Sequence, residues 1–358
     1  MVIQISTKLW KKALNGEKII QREIRRILIA IADGLHELYI DKDDPIDQIL
    51  DSNLFPDLEK SDIKKFSRKT ITQFKPTILV TTQDFIKSQV GKASIATFFD
   101  NHVMTETQLN NQTTLCIHFV AIEASKTYLC QPLSIVVEND TSDQCFLQNV
   151  YNFINPTTNK PTKEFEILAK NQIIEIRHGG GSTTYNQLER IIHPRRVLCI
   201  IDSDKKYPTD TLNDLKIAEY QKICNEKDFT FMVLKNSEIE NYLPDKSLLE
   251  WLFAKGYGIS AESCKSHDYF SANFTAMQKK FFDMKKGLKP TNFTDTTYGH
   301  QIQVLYSTQY KKGSTTIKGF GNEVFEAFNH LNICTLTDID VDDLLEFKTI
   351  TQTIQQLI

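Results

Sequence analysis

Three runs of aliphatic and β-branched residues pattern the middle of the chain: LSIVV from Leu133, VLCII from Val197 and FTFMVL from Phe229. Each is continuous rather than alternating, and the first two are followed at once by carboxylates, Glu138 and Asp202. Continuous apolar runs of this length fit strands buried on both faces, as in parallel sheets covered by helices. The expected first strand is Leu133 to Glu138, with a helix opening near Asp143. IIEIR then leads through the glycine-rich HGGGSTT into a helix over 186–192. VLCIID ends at Asp202, and a helix from about Leu212 to Cys224 returns the chain to FTFMVL, which ends at Lys235. This alternation predicts right-handed βαβ crossovers and a parallel sheet of about four strands flanked by helices, an α/β domain over residues 131–250.

The flanks read differently. Ile19, Ile20, Ile24, Ile27, Leu28, Ile31 and Leu35 recur at three- and four-residue spacing, which predicts a largely helical stretch over residues 1–42 with a core-facing stripe. TILVTT and LCIHFVAI then read as strands, so residues 1–130 form a mixed α/β or α+β region of undeclared role. Between them, Gly91-Lys92 is not a phosphate-binding loop, because Ile86 stands where its first glycine belongs and Ala93 where Ser or Thr belongs. Residues 251–358 form a helical, partly basic region. Within it MQKKFFDMKKGLK sets Lys279, Lys280, Lys285, Lys286 and Lys289 around Phe281 and Phe282. That pattern is either an amphipathic helix with its phenylalanines inward or a basic wall beside a polyanion groove.

Composition narrows the chemistry. With 358 residues, 41% hydrophobic and 24% charged, the chain has room for two or three modules. Its formal net charge of −3 means that contact with DNA or RNA rests on local patches. Seven scattered cysteines without a CxxC pair exclude a zinc cluster or a disulfide framework and suit a reducing cytoplasm. No apolar window is long enough for a membrane span, so no membrane partner is expected.

Asp202 and Asp204, two apart after a buried strand, point the same way on an extended backbone and can serve one hard cation. Alone, such a pair also suits a phosphatase with Asp202 as nucleophile. That alternative expects Thr or Val two residues after the second aspartate, where Lys206 stands.

The order of Glu138, the turn Gly179 to Gly181, Asp202/Asp204 and the Glu238/Glu240 pair resembles the Toprim domain. That domain is shared by topoisomerases, primases, small ribosomal-RNA maturation nucleases and the overcoming-lysogenization-defect nucleases. The likeness spans Pro132 to Leu243, and Ile239-Glu240-Asn241-Tyr242-Leu243 looks most like the last, defence-associated branch. It implies a Toprim-like sheet and a nuclease dependent on Mg²⁺ or Mn²⁺. By this resemblance Glu138 is metal ligand or general acid/base, Asp202 and Asp204 hold the metal, and Glu238 or Glu240 completes its shell. Lys235 meets the scissile phosphate. Gly179, Gly180 and Gly181 admit the substrate to the backbone while Ser182 caps the next helix. Lys285 and Lys286 belong to the basic wall. An antiphage effector working with a partner ATPase is implied as well, since the chain has no ATP motif. The chain departs from the family in two places. Asn139 replaces the glycine after the first glutamate, and Ser142 stands where an aspartate is expected. Asp143 substitutes for that aspartate, or Asp140 does, or a second metal is weakly held. A binding module without turnover is the remaining alternative.

Overall fold

The computed structural model describes residues 2–32, 36–41, 43–68, 78–81, 104–109, 112–118, 129, 131–156, 164–180, 183–191, 195–258, 261–309 and 316–358. It is an α/β protein with parallel sheets flanked by helices.

The chain begins with β1 (Val2–Ile5), α1 (Thr7–Leu14), α2 (Lys18–Ala32), β2 (Glu37–Tyr39), α3 (Ile46–Asp51) and α4 (Asp57–Arg68). β3 (Ile78–Thr81), β4 (Met104–Leu109) and β5 (Gln112–His118) follow. The sheet order is β2-β1-β3-β5-β4, parallel except for the β4/β5 pair. The isoleucine stripe faces the core except at Ile19, which is exposed: Ile20, Ile24, Ile27, Leu28 and Ile31 pack with Ile3, Ile5 and Trp10. Residues 1–42 are nevertheless not simply helical. Period-two burial of Ile3 and Ile5 makes VIQI a strand, and Glu37–Tyr39 pairs with it in parallel. Leu35 and the Gly91-Lys92 segment lie outside the described residues.

The central sheet comprises β6 (Leu133–Val137), β7 (Ile174–His178), β8 (Val197–Ile201) and β9 (Thr230–Val233). Its order is β7-β6-β8-β9 and every pair is parallel. Between the strands run α5 (Asp140–Ile154), α6 (Glu164–Lys170), α7 (Thr184–Arg190) and α8 (Asp214–Glu226). β6 and β8 are buried along their whole length. Leu133, Ile135, Val137, Leu198 and Ile200 face one core, while Val136, Val197, Cys199 and Ile201 face another with Tyr220 and Cys224. Two buried faces are the reason these runs carry no polar alternation.

Residues beyond Leu243 build onto the first of those cores. α9 (Asp245–Ala254), α10 (Glu262–Asn273), α11 (Gly299–Leu305) and α12 (Val341–Leu357) are its longer helices. Phe146 of α5 meets Phe328 and Phe347 at ring separations of 5.2 and 6.0 Å, so one apolar core spans the sheet and the C-terminal region. Arg196, buried at the start of β8, donates to the carbonyls of Leu357 (2.6 Å) and Gln131 (2.5 Å), tying α12 to the sheet. His36 contacts the carbonyls of Leu129 and Ile358 at 2.6 and 3.2 Å, and burial beside Arg196 holds its pKa well below the ordinary value. No helix among the described residues is long and apolar enough to cross a membrane.

Candidate metal centre

β6 and β8 are hydrogen-bonded neighbours at the middle of a parallel sheet, and Glu138 and Asp202 are the residues that follow them. Ligands of such sheets gather beyond the carboxyl ends of the strands. The backbone N–H of Asp202 faces the Glu138 carboxylate and favours its ionised form. Asp204 follows in left-handed backbone, φ 52°, a conformation that aspartate tolerates better than most residues. Its N–H donates to the carbonyl of Ser237 (2.9 Å), and its own carbonyl accepts from Asn213 Nδ2 (3.2 Å). The chain therefore turns back on itself and brings the Asp204 side chain beside Glu138. A single ammonium bridges them: Lys216 Nζ lies 2.8 Å from Glu138 Oε1 and 3.1 Å from Asp204 Oδ2.

Asp202 is the electrostatic centre. Its Oδ1 is shut off from solvent and has no hydrogen-bond partner. Burial pushes its pKa well above the carboxylate range, and Asp143, Glu138, Glu240 and Asp204 add to the effect. Glu138 is also raised by burial, against the pull of Lys216.

The departures after Glu138 have a structural outcome. Asn139 caps α5, its Oδ1 accepting from Thr141 N (3.0 Å) and Ser142 N (3.2 Å). Asp143 Oδ2 accepts from the N–H of Asn139 at 2.8 Å, and Ser142 Oγ donates to Oδ1 at 3.2 Å. Asp143 therefore secures its own helix start as well as facing Asp202, and burial lifts its pKa to about 6. A cavity of about 10 Å³ between Asp143 and Asp202 has the size of one water. Asp140 points elsewhere: it is exposed, 3.5 Å from His178 Nε2.

Glu240 sits in a single tight turn, Ile239–Tyr242, and is wholly buried, which raises its pKa. Lys285 Nζ lies 3.0 Å from Glu240 and 3.1 Å from Glu238. Asn241 pins this region by donating to the carbonyls of Lys279 (2.8 Å) and Phe282 (2.7 Å) and accepting from Glu238 N (2.9 Å).

The remaining expected residues are more scattered. Lys235 is exposed, and what the fold uses is its N–H, which donates to Tyr242 Oη and Glu346. Lys286 is exposed, its N–H bonded to Asp283. At Gly179 a Cβ would fall 2.1 Å from the Thr184 Cα, so only glycine lets β7 run so close to α7, and Gly180 has φ +68°. Gly181 and Ser182 lie outside the described residues. Of the basic stretch, Lys279 pairs with Asp245 (2.7 Å) and Lys280 with Asp340 and Asp342, while Phe282 is buried. Lys216 and Ser237 complete the site without any signal in the sequence, whereas Asn241 lies in the Ile239 to Leu243 motif.

Among the described residues, no three His, Cys, Asp or Glu side chains stand as a ready-made metal cage. The donor set is nevertheless right for a hard divalent cation. It is all oxygen, it forces like charges together, it holds an orphaned buried Oδ1 on Asp202, and a cationic nitrogen already lies between two of its members. Compared with family models, with curated proteins and with solved structures, the chain matches none.

Proposed function

We propose that this protein is a Toprim-type, metal-dependent nuclease whose centre is Glu138, Asp202 and Asp204 with Mg²⁺ or Mn²⁺. The observation that carries the reading is the gathering of these three carboxylates at one edge of adjacent parallel strands, with Asp202 lacking any cationic partner among the described residues. When bound, a divalent ion would supply charge neutralisation at phosphate oxygens and a more acidic water. Glu138, Asp202 and Asp204 would hold it. Glu138, whose pKa burial raises, stands where it could transfer a proton at the same rim. Gly179 and Gly180 keep the backbone low beside this edge for a polynucleotide, and exposed Lys286 and Lys289 supply cations for its phosphates. DNA or RNA is the substrate class, and a partner ATPase in antiphage defence belongs to the same proposal.

A binding module without turnover is favoured by one observation, the engagement of Asp143 by its helix start, which removes a ligand from any second ion. The phosphatase alternative is disfavoured because one oxygen of Asp202, its would-be nucleophile, is closed to solvent.

The test is cleavage of plasmid DNA and of single-stranded RNA with Mg²⁺ or Mn²⁺. The wild-type protein is expected to cut at least one, and Glu138→Ala to cut it at least about a hundredfold more slowly. Unchanged cleavage by Glu138→Ala and Asp202→Asn refutes the assignment. Divalent-dependent binding with no cutting under either ion selects the binding module.

A further inference from the structure

We infer that Lys216 is the built-in counter-ion of the acid cluster, and that its ammonium and a divalent cation are alternative occupants of the space between Glu138 and Asp204. The inference rests on the proposed metal centre and concerns how that centre is loaded. A lysine touching one carboxylate on a surface is ordinary. Here one ammonium lies within 3.1 Å of two carboxylates that reach the rim from different strands of the sheet. It therefore holds the place from which one cation can bind both.

The backbone that carries Lys216 is fixed. Buried Asp210 accepts from Lys206 N and Leu212 N, each at 3.0 Å, and Asn213 reaches back to the Asp204 carbonyl. Lys216 then stands in the first turn of α8 with its side chain a third exposed. A four-carbon stem on a fixed helix lets the ammonium leave the carboxylates without any movement of the fold. Other nitrogen groups at this rim are engaged elsewhere, the Lys285 ammonium with Glu238 and Glu240 and the His178 ring near Asp140. Lys216 reaches Glu138 and Asp204 but forms no ion pair with Asp202, so one ammonium does not answer all three carboxylates. A divalent ion doubles the charge at that place and wins the exchange by Coulomb attraction. The displaced ammonium is left at the mouth of the site, where a phosphate would arrive.

Manganese binding, counted by electron paramagnetic resonance, tests this on the full chain. Four proteins are compared: wild type, Lys216→Met, Lys216→Gln and, as a control for lost charge alone, Lys206→Met, whose side chain rests over Tyr298. Two partly screened ion pairs set the scale. Lys216→Met and Lys216→Gln are expected to bind Mn²⁺ about tenfold more tightly than wild type, with Lys206→Met within about twofold of wild type. The two Lys216 variants cover the case in which one fails to fold, judged by thermal melting. Equal affinity in wild type and the Lys216 variants overturns the inference and leaves the metal centre standing. An equal gain in Lys206→Met also overturns it, by showing a charge effect without displacement. No Mn²⁺ bound by any of the four overturns the metal centre and this inference together.

Discussion

Replacing Asp202 by asparagine is expected to abolish metal-dependent cleavage and at the same time to stabilise the metal-free protein. The two effects have one cause. Asp202 places a carboxyl group, held back from ionising, in a site where one of its oxygens has neither solvent nor a hydrogen-bond donor among the described residues. The neighbours that act on it most, Asp143, Glu138, Glu240 and Asp204, are all acidic. An asparagine of the same shape removes the cost of ionising that carboxyl group, and its amide can donate to a neighbouring carboxylate. The relief is about 1–3 kcal/mol, the usual cost of an unsatisfied buried polar group. A structural ion-pair aspartate would behave oppositely, because removing it strands a buried cation. Loss of the metal-holding carboxylate costs about a thousandfold in cleavage. Urea unfolding in chelator and a cleavage assay in Mn²⁺ read the two effects separately. A less stable Asp202→Asn protein would show that Asp202 is a scaffold residue.

The second large effect is on pH. A carboxylate whose folded pKa exceeds its unfolded value stabilises the fold at low pH and loses that contribution as pH rises through the folded value. Burial raises Asp143 to about 6 and, on α12 beside Lys280 and Asn236, Asp343 to about 7. Together they are expected to remove roughly 2 kcal/mol of stability between pH 6 and pH 8 in chelator. Asp202, Glu138 and Glu240 act in the same direction. His36, lowered by burial, has the opposite sign: below pH 6.5 the unfolded chain takes up a proton that the folded one refuses. The metal-free protein is therefore expected to lose stability as pH rises from about 4 to 8, with His36 offsetting part of the loss below about pH 6.5. Mn²⁺ favours the ionised form of the site carboxylates, so it should stabilise more at pH 8 than at pH 6. Asp343→Asn should remove the part that the metal does not reach. Stability that climbs steadily from pH 6 to pH 8 in chelator would contradict this account.

What was legible in the sequence follows from how local each signal is. β6 and β8 could be read because burial on both faces leaves no polar residue to interrupt the run, and the carboxylates after them announce a strand end. β1 was hidden because four residues of period two stand next to a long isoleucine stripe of period near 3.6. Glu138, Asp202 and Asp204 were legible as strand-end acids. The choice between Asp140 and Asp143 was not, since it depends on which residue of the first turn of α5 faces inward. Lys216 could not be found at all: nothing near it in sequence says that a lysine on α8 reaches two carboxylates at the ends of other elements. The same non-locality explains the basic stretch. In sequence Lys279, Lys280 and Lys285 fit either the outer side of an amphipathic helix or a polyanion wall, and neither shows that Asp245, Asp340, Asp342, Glu238 and Glu240 come from distant segments to meet them.

The most direct test is a crystal of the full chain soaked in Mn²⁺, with an anomalous difference map calculated at the manganese edge. An anomalous peak within about 2.0–2.6 Å of oxygens from Glu138, Asp202 and Asp204 is predicted, with Lys216 turned away from it. A map with no peak at that edge of the sheet, or with manganese bound only elsewhere, would contradict a metal centre built on these three carboxylates.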